Sequence, residues 1–242
     1  MAWFLEAEEL VVTLAPVVVY WVYSGMYEVL LRRTTVLDKY RLHSTRDEET
    51  KNIASRKDVV KGVLLQQAIQ VTISVAVLKA IESGPDANHS GVVPAAALVN
   101  AARTCTGGST RGTTVAAPYA FAAQYGHPVD AVLTETLSGA AAYVASGMSP
   151  RTAAAFFVFA TVKGVDDHCG VAAPWNPLHA LFANNTAYHD VHHQRGGGRR
   201  NFSQPFFVVW DRVLGTHAAH DVVQRPGDGA GLEVRVVNKD QN

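Results

Sequence analysis

The chain has 242 residues, with 21 basic and 21 acidic side chains, so it carries no net charge that would attract a nucleic acid. Hydrophobic residues make up 48% of the chain and charged residues only 17%, whereas about 25% charged residues is usual for soluble domains. This composition indicates contact with a bilayer. The two cysteines, Cys105 and Cys169, are too few for a disulfide framework and lack zinc-site spacing, which favours reducing, cytosol-facing chemistry.

The first apolar segment, residues 10–27, contains no charged side chain and is predicted to cross the membrane. At 1.5 Å per residue, such a helix crosses roughly 27 Å of hydrocarbon. A secretory signal peptide is the alternative, but no basic region precedes the segment and no small-residue cleavage site follows it. Glutamates flank it on the N-terminal side and a strongly basic stretch, residues 32–61, follows it. The positive-inside rule therefore places residues 32–61 in the cytosol.

Later apolar segments extend this prediction. Residues 62–78 are uncharged but contain three glutamines, which predicts a second span with a polar stripe facing other helices. Residues 131–148 and 152–162 are rich in small side chains and are separated by a proline-containing break. They predict a helical hairpin that dips into or just crosses the membrane, with two buried helices of a soluble domain as the alternative. The fold predicted is an all-α integral membrane domain with a cytosolic, histidine-rich metal-binding cap.

The cap is predicted from the run His189-Asp190-Val191-His192-His193-Gln194. Its three imidazoles stand at i, i+3 and i+4, positions that share one face of an α-helix. Imidazole is the usual neutral ligand of iron, zinc and copper, and Asp190 could orient one of the rings. A chance surface cluster is the alternative, but His168 and His179 lie a short way upstream and enrich the same region.

Several motifs in this half of the chain carry a resemblance to a known family. They are residues 166–170 (DDHCG), 184–194 (NNTAYHDVHHQ), 201–207 (NFSQPFF), 210–212 (WDR) and 214–216 (LGT). Together they are similar to the C-terminal half of the fatty acid hydroxylase superfamily, and within it to the plant-type sphingoid base C4-hydroxylases. Residues 118–121, His127-Pro128 and residues 41–67 also fit that branch. The resemblance covers nearly the whole chain.

The resemblance implies a multi-pass endoplasmic reticulum enzyme whose histidine-rich site faces the cytosol and nominally holds two irons. Such an enzyme uses O2 and electrons from NAD(P)H, delivered through cytochrome b5, to hydroxylate a sphingoid base or ceramide. A redox metal is needed because no side chain can abstract hydrogen from an unactivated C–H bond. The resemblance also divides the chain into anchoring helices with a basic loop (residues 1–90), a hydroxylase-like region (residues 91–220) and a polar tail (residues 221–242).

The family's metal ligands are matched by His168, His189, His192 and His193, and His127 matches the histidine of a His-Pro motif as a further candidate ligand. His179 also matches a family position, for which we expect a structural role or a role in supporting the metal ligands. The other histidines have no motif support and are expected to be solvated; they are His43, His89, His217 and His220.

One segment departs from the family pattern. Two histidine boxes, H-x3-H and H-x2-HH, are expected just before Pro118, but residues 104–114 (TCTGGSTRGTT) contain no histidine. Threonines at 106, 110, 113 and 114 reproduce the missing spacing. A threonine codon that follows a C reads CAC, a histidine codon, one base earlier, and one choice of synonymous codons turns the segment into YMHRWVHSRHH. We therefore hypothesise an out-of-frame translation here, with a genuine glycine and threonine loop as the alternative. Residues 92–102 are too few to cross a membrane alone and could belong to the same out-of-frame stretch.

Three functional hypotheses remain open at this point. The first is a sphingoid base hydroxylase whose N-terminal metal half is corrupted and whose activity is therefore impaired as written. The second is a superfamily enzyme that acts on sterols or fatty aldehydes. The third is a catalytically silent membrane subunit that pairs with an active paralogue, and homo- or hetero-oligomerisation is open in each case.

Overall fold

Two long antiparallel helices form the frame of the molecule. The computed structural model describes residues 7–82, 114–194, 200–226 and 231–237. Helix α1 spans Ala7–Arg33 and helix α3 spans Arg56–Glu82, and within the described residues these two are long and apolar enough to cross a membrane. They include the predicted spans 10–27 and 62–78.

Ion pairs at both ends hold α1 and α3 antiparallel. Lys79, at the end of α3, lies 3.1 Å from Glu9 at the start of α1, and Arg56, at the start of α3, lies 2.8 Å from Glu28. Between these ends Gln67 accepts a hydrogen bond from the indole of Trp21 at 2.9 Å and donates to Gln124 at 2.9 Å. The glutamine stripe therefore faces neighbouring parts of the protein, as its position in an apolar helix predicts.

The predicted hairpin is present as a broken helix followed by a long one. Its first arm consists of α4 (Pro128–Ala131), a π-helical segment (Val132–Leu137) and α5 (Ser138–Ser146), and its second arm is α6 (Pro150–His168). Gly147 ends the first arm with φ of 58°, a left-handed conformation that glycine adopts without strain. The Ser149 side chain then caps α6 by accepting from the Thr152 N–H, and Pro150 occupies the first turn, where no N–H is needed.

Helix α6 runs parallel to α1. Arg151 lies 2.7 Å from Glu8 near the start of both helices, and the Tyr27 hydroxyl donates to Asp166 at 2.6 Å near their ends. This pairing brings the C-terminal end of α6 to the side of the bundle where the basic loop begins.

Short elements at that end form the cap. They are α2 (Thr45–Lys51), α7 (Pro177–Leu181), α8 (Thr186–His193), α9 (Val209–Val213), β1 (His220–Gln224) and β2 (Leu232–Val236). The basic loop is part of this cap, because the Leu42 N–H donates to the Gly170 carbonyl and the Leu232 N–H donates to the Arg41 carbonyl.

The two strands correct the all-α prediction. They form an antiparallel hairpin with His220 opposite Val236, so the fold is mostly helical, and part of the segment predicted as a polar tail packs on the cap. Val234 is buried in one cluster with Leu42 and Val191. The alternating apolar residues of β2, Leu232, Val234 and Val236, favour extended structure with one face inward, a signal that the polar character of the tail obscured.

The anomalous segment and its neighbourhood lie largely outside the described residues. This holds for residues 92–102 and for residues 104–113, and with them for the choice between an out-of-frame segment and a genuine glycine and threonine loop. Thr114 and the chain after it are described, and the Thr114 carbonyl accepts from the Ile53 and Ala54 N–H groups at 2.9 and 3.2 Å.

The packing of α3 against the turn at residues 120–125 makes a testable prediction. A Cβ atom at Gly62 would lie 2.6 Å from Cε2 of Tyr125, whereas a Cβ at Gly25 in α1 would meet nothing within 4 Å. Alanine in place of glycine stabilises a helix by about 1 kcal/mol, but overpacking costs about 1–3 kcal/mol. We expect Gly62→Ala to lower the melting temperature in detergent and Gly25→Ala, its matched control, to leave it unchanged or raise it. Equal responses of the two variants would contradict this packing.

Candidate metal centre

Three buried histidines from two helices converge at the base of the cap. His168 is the last residue of α6, and His189 and His193 lie one turn apart on α8. Nε2 of His189 lies 3.0 Å from Nε2 of His168 and 2.9 Å from Nε2 of His193. The potential ligand atoms of all three residues lie within 4.8 Å of one another.

Helix α8 begins where its sequence supplies a cap. The Asn185 side chain accepts from the N–H groups of Ala187 and Tyr188, which satisfies two of the backbone donors that a helix leaves free at its start. A helix this short is not stable by itself, so tertiary contacts must hold it. Asn201 supplies one of them, because its side-chain amide donates to the Tyr188 carbonyl at 3.1 Å.

Hydrogen bonds on the outer side of the rings set the tautomers. Nδ1 of His168 lies 2.7 Å from the Gly164 carbonyl, and Nδ1 of His193 lies 2.8 Å from the Val115 carbonyl. A carbonyl can only accept, so in each neutral ring Nδ1 carries the proton and Nε2 presents its lone pair. Both lone pairs belong to nitrogens that lie beside Nε2 of His189. Metal-binding histidines commonly have this arrangement, in which the outer nitrogen donates to a carbonyl.

The donor set fits a metal ion. Two nitrogens bound at right angles to one metal at about 2.1 Å lie about 3.0 Å apart, close to the separations between the His189 nitrogen and its two neighbours. Nδ1 of His189 is buried and has no hydrogen-bond partner among the described residues. Burial and the neighbouring imidazoles lower the pKa values of His189 and His193 well below the ordinary value, which keeps both rings in the neutral form that binds metals.

The other two predicted ligands lie differently. The His192 ring stacks on the His189 ring at 5.5 Å between centroids, and its Nδ1 lies 3.0 Å from the Arg200 carbonyl, so it borders the three histidines. His127 is exposed and caps α4, because its Nδ1 accepts from the Val129 N–H at 3.3 Å. The structure therefore does not place His127 in the described group.

His43 was expected to be solvated, and this prediction is wrong. It is buried, with its Nε2 hydrogen-bonded to the Asp190 carboxylate. The second carboxylate oxygen accepts from Gln194 at 3.0 Å, so Asp190 is held from both sides. His220 is half-buried and burial lowers its pKa, His217 is exposed as expected, and His89 lies outside the described residues.

His179 belongs to a second polar cluster, in line with the structural role expected for it. Its Nε2 lies 3.0 Å from Asp166, which also accepts from Tyr27 and from the Asn176 amide at 2.8 Å. Cys169 lies beside them, but burial raises the pKa of its thiol and so keeps it protonated. This cluster joins α1, α6 and the start of α7. Asp166 and Cys169 belong to the DDHCG motif and His179 matches a family position, whereas Tyr27 and Asn176 were not predicted.

A buried ion pair, which sequence reasoning missed, positions α8. Lys163 is fully buried on α6, pairs with Asp167 and donates to the Asn184 carbonyl at 2.8 Å and to its side-chain oxygen at 3.0 Å. Asn184 in turn donates to the Ser203 carbonyl at 2.7 Å. A lysine in an otherwise apolar stretch was the available signal, because a charge there needs a partner.

Comparison with known proteins agrees with this geometry. The family model described as fatty acid hydroxylase matches residues 114–216. The chain is 43% identical to sphinganine C4-monooxygenase 2 of Arabidopsis thaliana, over 98% of this chain and 99% of that protein. It is 39% identical to a very-long-chain aldehyde decarbonylase of Oryza sativa, over 92% and 94% of the two chains. It is 32% identical to the sphingolipid C4-hydroxylase of Schizosaccharomyces pombe, over 84% and 86%.

The chain belongs to the fatty acid hydroxylase family. Its relatives indicate an oxidoreductase of the hydroxylase or monooxygenase type. No solved structure matches it significantly. The Arabidopsis alignment extends over 262 positions, more than the 242 residues of this chain, so that relative contains stretches that this hydroxylase homologue lacks.

The match to the family model begins at Thr114, the last residue of the anomalous segment. The next residue, Val115, is buried, and its carbonyl holds the His193 ring. The chain therefore emerges from the segment that lacks histidines directly beside the candidate metal centre.

Metal content tests the three-histidine centre. Removal of groups that merely orient metal ligands costs about 10–100-fold in affinity, so loss of a ligand should cost at least as much. We expect His168→Ala, His189→Ala and His193→Ala each to lose bound metal, measured by elemental analysis of the purified protein. The exposed His217→Ala is the control, and His127→Ala should also retain metal. Unchanged metal in His189→Ala, or a parent chain that binds none, would contradict the assignment.

Proposed function

We propose that this protein is a membrane-bound hydroxylase of the sphingoid base C4 type, resident in the endoplasmic reticulum, with its histidine centre facing the cytosol. The observation that carries the proposal is the convergence of His168, His189 and His193, with neutral rings and two inward lone pairs, in a chain similar to sphinganine C4-monooxygenases over nearly its whole length.

An apolar cleft between the helices supports a long-chain substrate. It lies between α1, α3, α5 and α6, is partly open to solvent and is lined mostly by apolar side chains. It extends from Val12 and Leu78 to Gly164 and Val165. Gly164 is also the residue whose carbonyl holds the His168 ring, so the cleft reaches the turn of α6 just before the histidines. An aliphatic chain fits such a lining, because apolar surface is the main source of affinity in ligand clefts.

Iron suits these ligands and would supply the O2 chemistry that oxidises an unactivated C–H bond, with electrons delivered from NAD(P)H through cytochrome b5. The protein's own contribution is positional. Gly164 and Val115 orient two of the imidazoles, and Lys163 and Asn184 connect α6 to the loop that leads into α8. The buried surroundings of His189 exclude water from the centre.

A second candidate function is action on a fatty aldehyde. It is favoured by the 39% identity to the rice protein named as a very-long-chain aldehyde decarbonylase. Both substrates have long aliphatic chains and differ at the polar end, so the apolar cleft does not separate them. Analysis of the lipid products formed by the active enzyme distinguishes the two functions.

The chain as written is proposed to be impaired. A family enzyme of this type needs two metals held by imidazoles, and the described residues bring together one group of three histidines. Threonine hydroxyls are poor replacements for imidazoles at such a centre. A catalytically silent partner of an active paralogue is the corresponding alternative role.

Restoring the missing boxes tests both the family function and the frame hypothesis. Replacement of residues 104–114 by YMHRWVHSRHH should produce C4-hydroxylated sphingoid bases in a hydroxylase-deficient yeast, measured by mass spectrometry, while the chain as written should produce none. The matched control carries the same replacement together with His168→Ala and should be inactive. Activity of the unrepaired chain would overturn the proposal that it is impaired, and aldehyde-derived products would favour the second function.

The proposed orientation makes a separate prediction. A tag after Asn242 should be cleaved by protease added to intact microsomes, because the cap and the basic loop lie on one side and basic loops stay in the cytosol. A tag before Met1 is the control and should be protected. The reverse pattern would contradict the orientation, and cleavage of both tags would contradict the crossing of α1.

A further inference from the structure

Helix α1, which is proposed to span the membrane, provides a reference for the height of other residues along the membrane normal. Because α1 and α6 run parallel, with Glu8 beside Arg151 and Tyr27 beside Asp166, the middle of one helix lies beside the middle of the other. Phe159 lies about 14 Å along α6 from His168 at 1.5 Å per residue. It is therefore at the height of the most exposed apolar part of α1, where Val18 is 59% and Val22 68% exposed.

After the histidine helix, the chain returns to this height. The Phe206 ring stacks on Phe159 with 5.9 Å between centroids and 2° between planes, and it also contacts Phe156 at 5.9 Å. Phe206 is buried in one cluster with Val12 and Leu78, which come from the ends of α1 and α3 remote from the basic loop. A segment that the sequence assigned to the cytosolic cap therefore packs against the middle of the bundle.

The outer surface of this segment is apolar. Its exposed apolar side chains are Phe207 (42%), Val209 (50%), Val213 (68%) and Leu214 (49%). Leu181 is 74% exposed and precedes Phe182, whose ring contacts the Phe206 ring. The single acidic residue of the segment, Asp211, is fully buried. We name residues 205–214 the return segment.

The buried carboxylate of the return segment, Asp211, is satisfied from inside the protein. Asp211 accepts from the backbone N–H groups of Phe202 and Ser203 at 2.9 and 2.7 Å, and Pro205 has no N–H to satisfy. Irregular backbone tolerates hydrocarbon only under such conditions. At the far end Trp210 is half-buried and Arg212 exposed, the residue types that prefer the boundary between acyl chains and headgroups.

We infer that the return segment is inserted in the bilayer, with Phe207 among the acyl chains and α9 at the headgroup boundary of the cytosolic leaflet. The occupant of the apolar surface is lipid because Phe207 directly follows Phe206, which contacts Phe159 at the height of the exposed apolar surface of α1. On its inner side Gln204, which precedes the segment, lines the substrate cleft. The return segment therefore lies between the cleft and the bilayer from which a lipid substrate would come. This inference rests on the proposed membrane-spanning role of α1.

Depth labelling tests the inference without relying on activity. Single cysteines at Phe207, Val213, Val22 and Ile53 are introduced into a Cys105→Ser background, where Cys169 is buried and poorly accessible. Each is labelled with a nitrobenzoxadiazole fluorophore and reconstituted as one chain per lipid nanodisc. Val22 is the control for the spanning surface of α1, and Ile53, which is 80% exposed in the basic loop, is the matched apolar control in water.

Labels at Phe207 and Val22 should lose most of their fluorescence to lipids spin-labelled in mid-chain, and the label at Val213 to lipids spin-labelled near the headgroup. The label at Ile53 should respond only to aqueous iodide. If the label at Val22 is quenched by spin-labelled lipid but the labels at Phe207 and Val213 respond only to iodide, like the label at Ile53, the inference is wrong while the membrane-spanning role of α1 stands. Shielding of Phe207 from both quenchers would show protein burial and also overturn it. A label at Val22 that responds only to iodide would overturn the spanning proposal and this inference with it.

Discussion

The close approach of two imidazoles from different helices constrains the rest of this structure. Nε2 of His168 and Nε2 of His189 lie 3.0 Å apart in a buried site, which requires the end of α6 and the first turn of α8 to meet within a narrow tolerance. Two charged imidazoles could not be buried at this distance, and burial lowers the pKa of His189 well below its ordinary value, so the His189 ring is neutral. A group of neutral nitrogens that face one another is suited to a metal ion.

Buried polar contacts hold the end of α6 and the start of α8 within that narrow tolerance. Lys163 and Asp167 form an ion pair that is entirely removed from solvent, and Asn184 connects the lysine to the loop before α8. Asp166 connects α6 to α1 in the same turn of helix. Such groups are costly to bury and are retained where their geometry matters, because removing one partner of a buried pair costs about 3–5 kcal/mol. In a chain with few charges, their concentration around the histidines indicates that the position of the centre is tightly constrained.

The same arrangement relates the metal centre to a lipid substrate. The cleft between the helices reaches Gly164, whose carbonyl orients His168, so the wall proposed to hold an aliphatic chain also orients a candidate metal ligand. The carbonyl of Val115 orients the His193 ring in the same way. Because Val115 directly follows the segment without histidines, an error in that segment would lie directly beside the candidate metal centre.

The sequence by itself determined the two long apolar helices, the proline-broken hairpin and the face shared by His189 and His193, because hydrophobicity and helical spacing are local properties. It also identified His168 through a motif. It did not determine the β-hairpin in the tail, the burial of His43 or the helix-capping position of His127. Only the tertiary structure decided these, and with them the return of Phe206 to the middle of the bundle. The physical reason is that each depends on contacts between residues far apart in the chain, and a local pattern contains no information about which distant surfaces will meet.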